Sequence, residues 1–145
     1  MLVTRPAGQA GAMSALLREA GCDPVEVPSI AILPCEDWAA LDAALTRLAG
    51  YDWLIVTSRN AVDILFARLR FFGRSLPASL RCAAIGPGTA AALTARDAAT
   101  PWIPAAFTSR TLAEEIPVTP GQRVLRLRAE AAAEIGIVLR ARGAV

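Results

Sequence analysis

Short apolar runs alternate with helix-spaced apolar stripes along nearly the whole chain. Leu2-Val3-Thr4 reads as a strand, with a loop at Arg5-Pro6-Ala7-Gly8. Met13, Leu16, Leu17 and Ala20 then recur at the spacing of one helix face, and Gly21 ends the helix. Val25 to Val27 forms a second strand. Ile30-Ala31-Ile32-Leu33, held between Pro28 and Pro34, reads as an extended connector. Trp38, Leu41, Leu45 and Leu48 stripe a helix that Asp37 can cap and Gly50 ends. Trp53-Leu54-Ile55-Val56 is the strongest strand, a continuous apolar run of the kind buried on both faces of a parallel sheet.

The alternation continues to the end of the chain. Val62, Leu65, Phe66 and Leu69 mark a helix, and Cys82-Ala83-Ala84-Ile85 a strand. A Gly86-Pro87-Gly88 turn then opens an alanine-rich helix through Leu93. Trp102-Ile103 is a short strand between prolines, and Leu112 with Ile116 a short helix. Val124 to Leu127 is the last full strand, followed by a helix carrying Ile135 and Leu139 and stopping at Gly143. Strands separated by helices predict an α/β fold of parallel sheets with right-handed crossovers. Two strands are too few for an independent sheet, so residues 1–35 read as the opening part and connector strand of a discontinuous first domain. Residues 36–145 read as a nearly complete second domain, with Ala144-Val145 as the start of a further strand.

Composition narrows the chemistry. In 145 residues, 54% are hydrophobic and 19% charged, which supports a buried core and excludes a disordered polyelectrolyte. All 15 basic residues are arginine, and there is no histidine. Schiff-base lysines, imidazole acid–base catalysis and histidine-ligated metals are thereby excluded. A net charge of +2 is too small for a sequence-independent nucleic-acid binder, so any anion site must be local. Cys22, Cys35 and Cys82 lack CxxC spacing and read as small buried hydrophobes in a reducing cytoplasm. No apolar run reaches membrane-spanning length.

Ligands of open parallel sheets sit beyond the carboxyl ends of the strands, where helix amino termini present free N–H groups. Thr4-Arg5-Pro6, Thr57-Ser58-Arg59-Asn60, Gly86-Pro87-Gly88-Thr89 and Arg126-Leu127-Arg128 lie at such ends. They supply hydroxyls, glycine backbone and guanidinium groups but no carboxylate, a chemistry suited to an anion. Each has a plainer reading as well. Thr57, Ser58 and Asn60 are also what an ordinary helix cap requires, and Arg5 and Arg128 could be solvated surface charges. Gly86 to Ala91 fits G-x-G-x-x-A, but Pro87 deletes a donor and no acid follows Trp102-Ile103 to hold a ribose. Arg68 to Arg74, with Phe71 and Phe72, reads as a helix end rather than a nucleic-acid surface. Trp38, Trp53 and Trp102 read as core.

Taken in order, LVTRPAGQ, PSIAILP, YDWLIVTSRNAV, AAIGPGTAAAL, FTSRTLAEEI and GQRVLRLRAE resemble the uroporphyrinogen-III synthase family over almost the whole chain. The resemblance implies two flavodoxin-like domains joined by a two-stranded connector, the chain matching the amino-terminal part. It implies cyclisation of hydroxymethylbilane to uroporphyrinogen III, with inversion of the fourth ring and loss of water, as a cytoplasmic, cofactor-free lyase of heme synthesis. The expected substrate-binding residues are Arg5, Thr57, Ser58, Asn60, Gly86, Thr89 and Arg128, with Thr89 facing the cleft and Arg5 and Arg128 on opposite lips. In the family a glycine usually follows the arginine that Arg128 matches; here Ala129 stands there. The expected acid is a tyrosine beyond Val145, and Tyr51 lies at the wrong strand end to replace it. The expected partners are the bilane alone: no metal, nucleic acid or membrane, with a monomer when complete and this chain inert by itself. A non-catalytic flavodoxin-like binding or receiver-type module is the alternative, though a receiver needs carboxylates at its strand ends.

Overall fold

The computed structural model describes residues 1–29, 31, 37–127 and 134–145. These fall into two compact units, Met1–Trp38 and Ala39–Val145. Most of the expected connector at Ile30–Pro34, together with Cys35 and Arg128, lies outside the described residues.

The first unit holds strand β1 (Leu2–Val3), helix α1 (Ala7–Glu19) and strand β2 (Val25–Glu26). The strands pair in parallel, Leu2 opposite Val25 and Val3 opposite Glu26. Helix α1 begins at Ala7, inside the stretch read as loop, with Pro6 as the non-helical residue just ahead of it. One sheet face is tied to α1: Val3 is buried, and the fully buried Ser14 donates to Glu26 Oε1 at 2.5 Å. The pleat sends Leu2, Val25 and Val27 to the opposite face, where all three are exposed.

The second unit contains α2 (Ala39–Thr46), β3 (Trp53–Val56), α3 (Arg59–Phe71), β4 (Arg81–Ala84), α4 (Pro87–Thr94), α5 (Ser109–Glu115), β5 (Val124–Leu127) and α6 (Glu134–Ala141). Its strands run parallel in the order β4-β3-β5. Trp102 extends the sheet beyond β4, its N–H donating to Cys82 O and its carbonyl accepting from Ala84 N. Pairing stops at this one residue because Pro104, the next position facing β4, has no N–H to donate, so the short strand expected at Trp102-Ile103 is a single bridge. At the other edge Val145 bonds to Gln122 and Val124 beside the start of β5.

All four β3 residues are buried, and the strand separates two apolar layers. Leu54 and Val56 pack with Leu45, Leu65, Leu69 and Leu93, from α2, α3 and α4. Trp53 and Ile55 pack with Leu112, Ile116, Ile135 and Leu139, from α5 and α6. Helices therefore cover both faces, as the unbroken apolar run requires. Trp53 is core as expected, whereas Trp38 and Trp102 are only half-buried.

Helix α2 ends earlier than its stripe predicts, and Leu48–Gly50 tightens into a 3₁₀ turn. The Ala43 carbonyl is claimed by the Thr46 hydroxyl and Arg47 Nε, while Arg74 takes the Leu45 and Thr46 carbonyls. Side-chain donors thus take up carbonyls where the helix ends. Among the described residues no helix is long and apolar enough to cross a membrane.

Candidate functional site

In the second unit the chain winds outward from β3 to β4 and Trp102, then returns to β5 on the other side of β3. The strand order reverses between β3 and β5, and in open parallel sheets ligands bind beyond the carboxyl ends at that reversal. The amino termini of α3 and α4 follow the carboxyl ends of β3 and β4 after two residues each, and that of α5 follows the Trp102 bridge after six. None of the three carries an acidic residue in its first turn, the position acids usually favour. The partial positive charge of these helix ends is therefore not neutralised from within.

The expected residues are placed as follows. Thr57 is half-buried at the end of β3. Ser58 is the amino-terminal cap of α3, its Oγ accepting from Ala61 N at 3.1 Å while the O–H remains able to donate. Asn60, half-buried, lies in the first turn of the same helix. Gly86 caps α4 in an extended conformation, and Pro87 follows at the first helical position, where a missing N–H costs nothing. Thr89, one turn into α4, is only 7% exposed, and no hydrogen bond to its hydroxyl is found among the described residues. No buried side-chain oxygen among the described residues is both sealed from solvent and unpaired, so this hydroxyl keeps a solvent-facing window.

Arg5 is exposed in the first unit, between β1 and α1. Thr57, Ser58, Asn60, Gly86 and Thr89 thus share one end of one sheet, while Arg5 belongs to the other compact unit. Tyr51 precedes β3 at its amino end, with the Arg123 guanidinium over its ring at 5.2 Å. Arg126 does not face outward: it reaches Gly136 of α6, with an Nη 3.3 Å from where a Cβ there would stand.

Phe107 and Thr108 were missed in sequence, and Arg59 was placed at the strand end without its partner. Arg59 Nε donates to the Gly88 carbonyl at 3.1 Å, clasping the start of α4 from the start of α3. Phe107 lies against Gly86. Thr108 caps α5, accepting from Thr111 N at 3.1 Å with the two hydroxyls 2.8 Å apart. The TSR and FTS runs were visible as text, but only folding shows that Arg59 turns toward Gly88 and Phe107 toward Gly86.

The second unit is thus an open parallel α/β sheet whose carboxyl edge carries a rim of helix ends, hydroxyls and a guanidinium. The chain is a member of the uroporphyrinogen-III synthase HemD family, whose sequence profile matches residues 11–145. It is 36% identical to a uroporphyrinogen-III synthase of Synechococcus elongatus over its full length, which is 56% of that relative. It is 31% identical to a porphyrin biosynthesis protein HemD of Ruminiclostridium josui over 91% of this chain and 27% of the other. The fold matches crystal structures of Thermus thermophilus uroporphyrinogen III synthase, at 23% identity and a TM-score of 0.65 over 93% of this chain and 54% of that one. A second crystal form gives a TM-score of 0.62 over 97% and 57%. The chain therefore spans little more than half the length of these synthases.

Proposed function

We propose that this chain supplies part of a uroporphyrinogen-III synthase, which closes hydroxymethylbilane to uroporphyrinogen III and releases one water. The substrate is a linear tetrapyrrole bearing eight carboxylate arms, so recognition is chiefly a matter of holding a polyanion. Helix N–H groups, the Ser58 and Thr89 hydroxyls and the arginines Arg5, Arg59 and Arg128 are suitable holders. Closure with the fourth ring inverted must outrun spontaneous closure without inversion. Fixing the chain ends in a reactive geometry provides that selectivity. The observation that carries this reading is the set of acid-free helix starts at one sheet end, in a member of this family.

The proposed setting is the cytoplasm, with Cys22 and Cys82 as free thiols. The 145 residues alone are expected to be inert, since they match little more than half the length of the synthases they resemble. The test replaces the matched part of the Synechococcus elongatus synthase with residues 1–145 and supplies freshly generated hydroxymethylbilane. Type-III product from the chimera, above the spontaneous type-I background, supports the reading. Type-I product alone from a soluble, folded chimera overturns it.

A further inference from the structure

We propose that Phe107 and Arg59 form a cradle for one carboxylate-bearing pyrrole ring, the ring lying against Phe107 and an acid arm on Arg59. The identity of the ring rests on the bilane being the substrate; the cradle itself rests on the following geometry.

Gly86 and Gly88 are not glycines for the sake of a left-handed backbone. Gly86 is extended, at φ −171° and ψ 175°, a conformation any residue adopts. At both positions a Cβ would crowd a neighbouring side chain. A Cβ on Gly86 would stand 3.3–3.6 Å from Cγ, Cβ and Cδ1 of Phe107. A Cβ on Gly88 would stand 3.0 Å from one Nη of Arg59 and 3.2 Å from its Nε. Each glycine is a seat for one specific side chain.

The two seated groups are complementary in kind. Phe107 lies against Gly86 on one side yet remains 60% exposed, so a ring surface is left open. Arg59 spends Nε on the Gly88 carbonyl, and no carboxylate pairs with it among the described residues. Its Nη groups keep donors for a ligand, in the planar fork that suits a carboxylate. The seats are two residues apart, hence no more than about 7 Å along the chain. Neighbouring seats of this kind suit a ligand that joins a flat ring to a short acid arm, as a pyrrole with its acetate or propionate does. Thr89 follows Gly88 directly and adds a hydroxyl that has no partner among the described residues and keeps a solvent-facing window.

Porphobilinogen, a single pyrrole with one acetate and one propionate arm, is the probe. It is titrated into the 145-residue chain while the Phe107 ring and the Arg59 Nε–H are followed by NMR. Saturable shifts at both positions are expected, with binding weakened at least fivefold by Phe107→Ala and by Arg59→Gln. Gly88→Ala should weaken it similarly, since it displaces the guanidinium while leaving its charge. Shifts confined to other residues, or affinities unchanged in all three variants, overturn the cradle. Variants that lower the melting temperature without changing affinity also overturn it, because the two side chains would then be structural covers. The two readings fail separately. A cradle that binds porphobilinogen while the chimera yields only type-I product leaves the cradle and removes the synthase assignment. Type-III turnover unaffected by Phe107→Ala and Arg59→Gln does the reverse.

Discussion

Arg68 and Asp42 meet in a two-pronged ion pair, Nε to Oδ1 at 2.9 Å and Nη2 to Oδ2 at 2.5 Å, that ties α3 to α2. The same guanidinium lies over Phe71 at 4.6 Å and Phe72 at 5.3 Å, and those rings meet edge to face. The basic, aromatic stretch from Arg68 to Arg74 is thus partly consumed by the protein itself. Both partners are mostly shielded from water, so the pair is worth more than an exposed one. Asp42→Ala should lower unfolding free energy by about 1–2 kcal/mol, measured by urea denaturation. A double-mutant cycle with Arg68→Ala should show coupling between the two.

Thr89 makes a sharper test of the site than a surface arginine. Its hydroxyl has no internal partner among the described residues, so Thr89→Val removes no folding hydrogen bond. Stability should hold or rise slightly by thermal melting, while type-III formation by the chimera falls severalfold. Equal product formation by both proteins would remove Thr89 from the site.

Burial raises the Cys82 thiol above its ordinary ionisation range. Above the unfolded thiol's pKa the unfolded chain releases a proton that the folded chain keeps, so stability falls as pH rises through that range. Cys82 should resist iodoacetamide at pH 8 in the folded chain and react once urea unfolds it. Mass spectrometry of the labelled peptides checks this directly.

Gly143 has φ +80°, and a Cβ there would lie 3.0 Å from Pro120 Cβ and 3.3 Å from its Cα. Gly143→Ala therefore adds backbone strain to a contact with main chain that cannot swing aside. The expected cost is about 1–2 kcal/mol. Hydrogen exchange should accelerate at the Val124 and Val145 amides, whose bonds lie just beyond this turn.

The exposed apolar face of the first unit should bind a hydrophobic dye. Leu2, Val25 and Val27 share the side of the sheet turned away from α1, and Leu16 is exposed on the helix. Val25→Thr with Val27→Thr should lower anilinonaphthalene sulfonate fluorescence and reduce aggregation in light scattering. Unchanged fluorescence would place the sticky surface elsewhere.

Much of the architecture was legible because two periodicities dominate the chain. The unbroken Trp53–Val56 run announced a strand buried on both faces, and Gly-Pro-Gly after Ile85 announced the start of α4. Leu2, Leu16, Val25 and Val27 are exposed as two lone strands would leave them, but Val3 is buried and Leu17 half-buried because α1 covers one face. The early end of α2 was not legible, since it depends on Arg74, which comes from beyond the next strand and helix. The Trp102 bridge shrank for a reason already present in the sequence, the proline two residues on at 104. At the site, segments that follow strands were easy to find. The direction of a long side chain such as Arg59 depends on which carbonyl folding brings within reach.

The division of β3 between two layers also governs how the gene for this chain can change length. Trp53 and Ile55 serve one layer, Leu54 and Val56 the other. One codon gained or lost between Gly50 and Asp52 would shift the strand by a residue and exchange the layers. Trp53 would then be driven into space shaped for Leu54. The exposed Ala78 and Ser79, beyond the Arg74 contact with α2, face no such parity rule, because the loop there can take up slack before β4 begins. Length variation among descendants of this sequence should therefore gather after α3 and avoid the three residues ahead of β3.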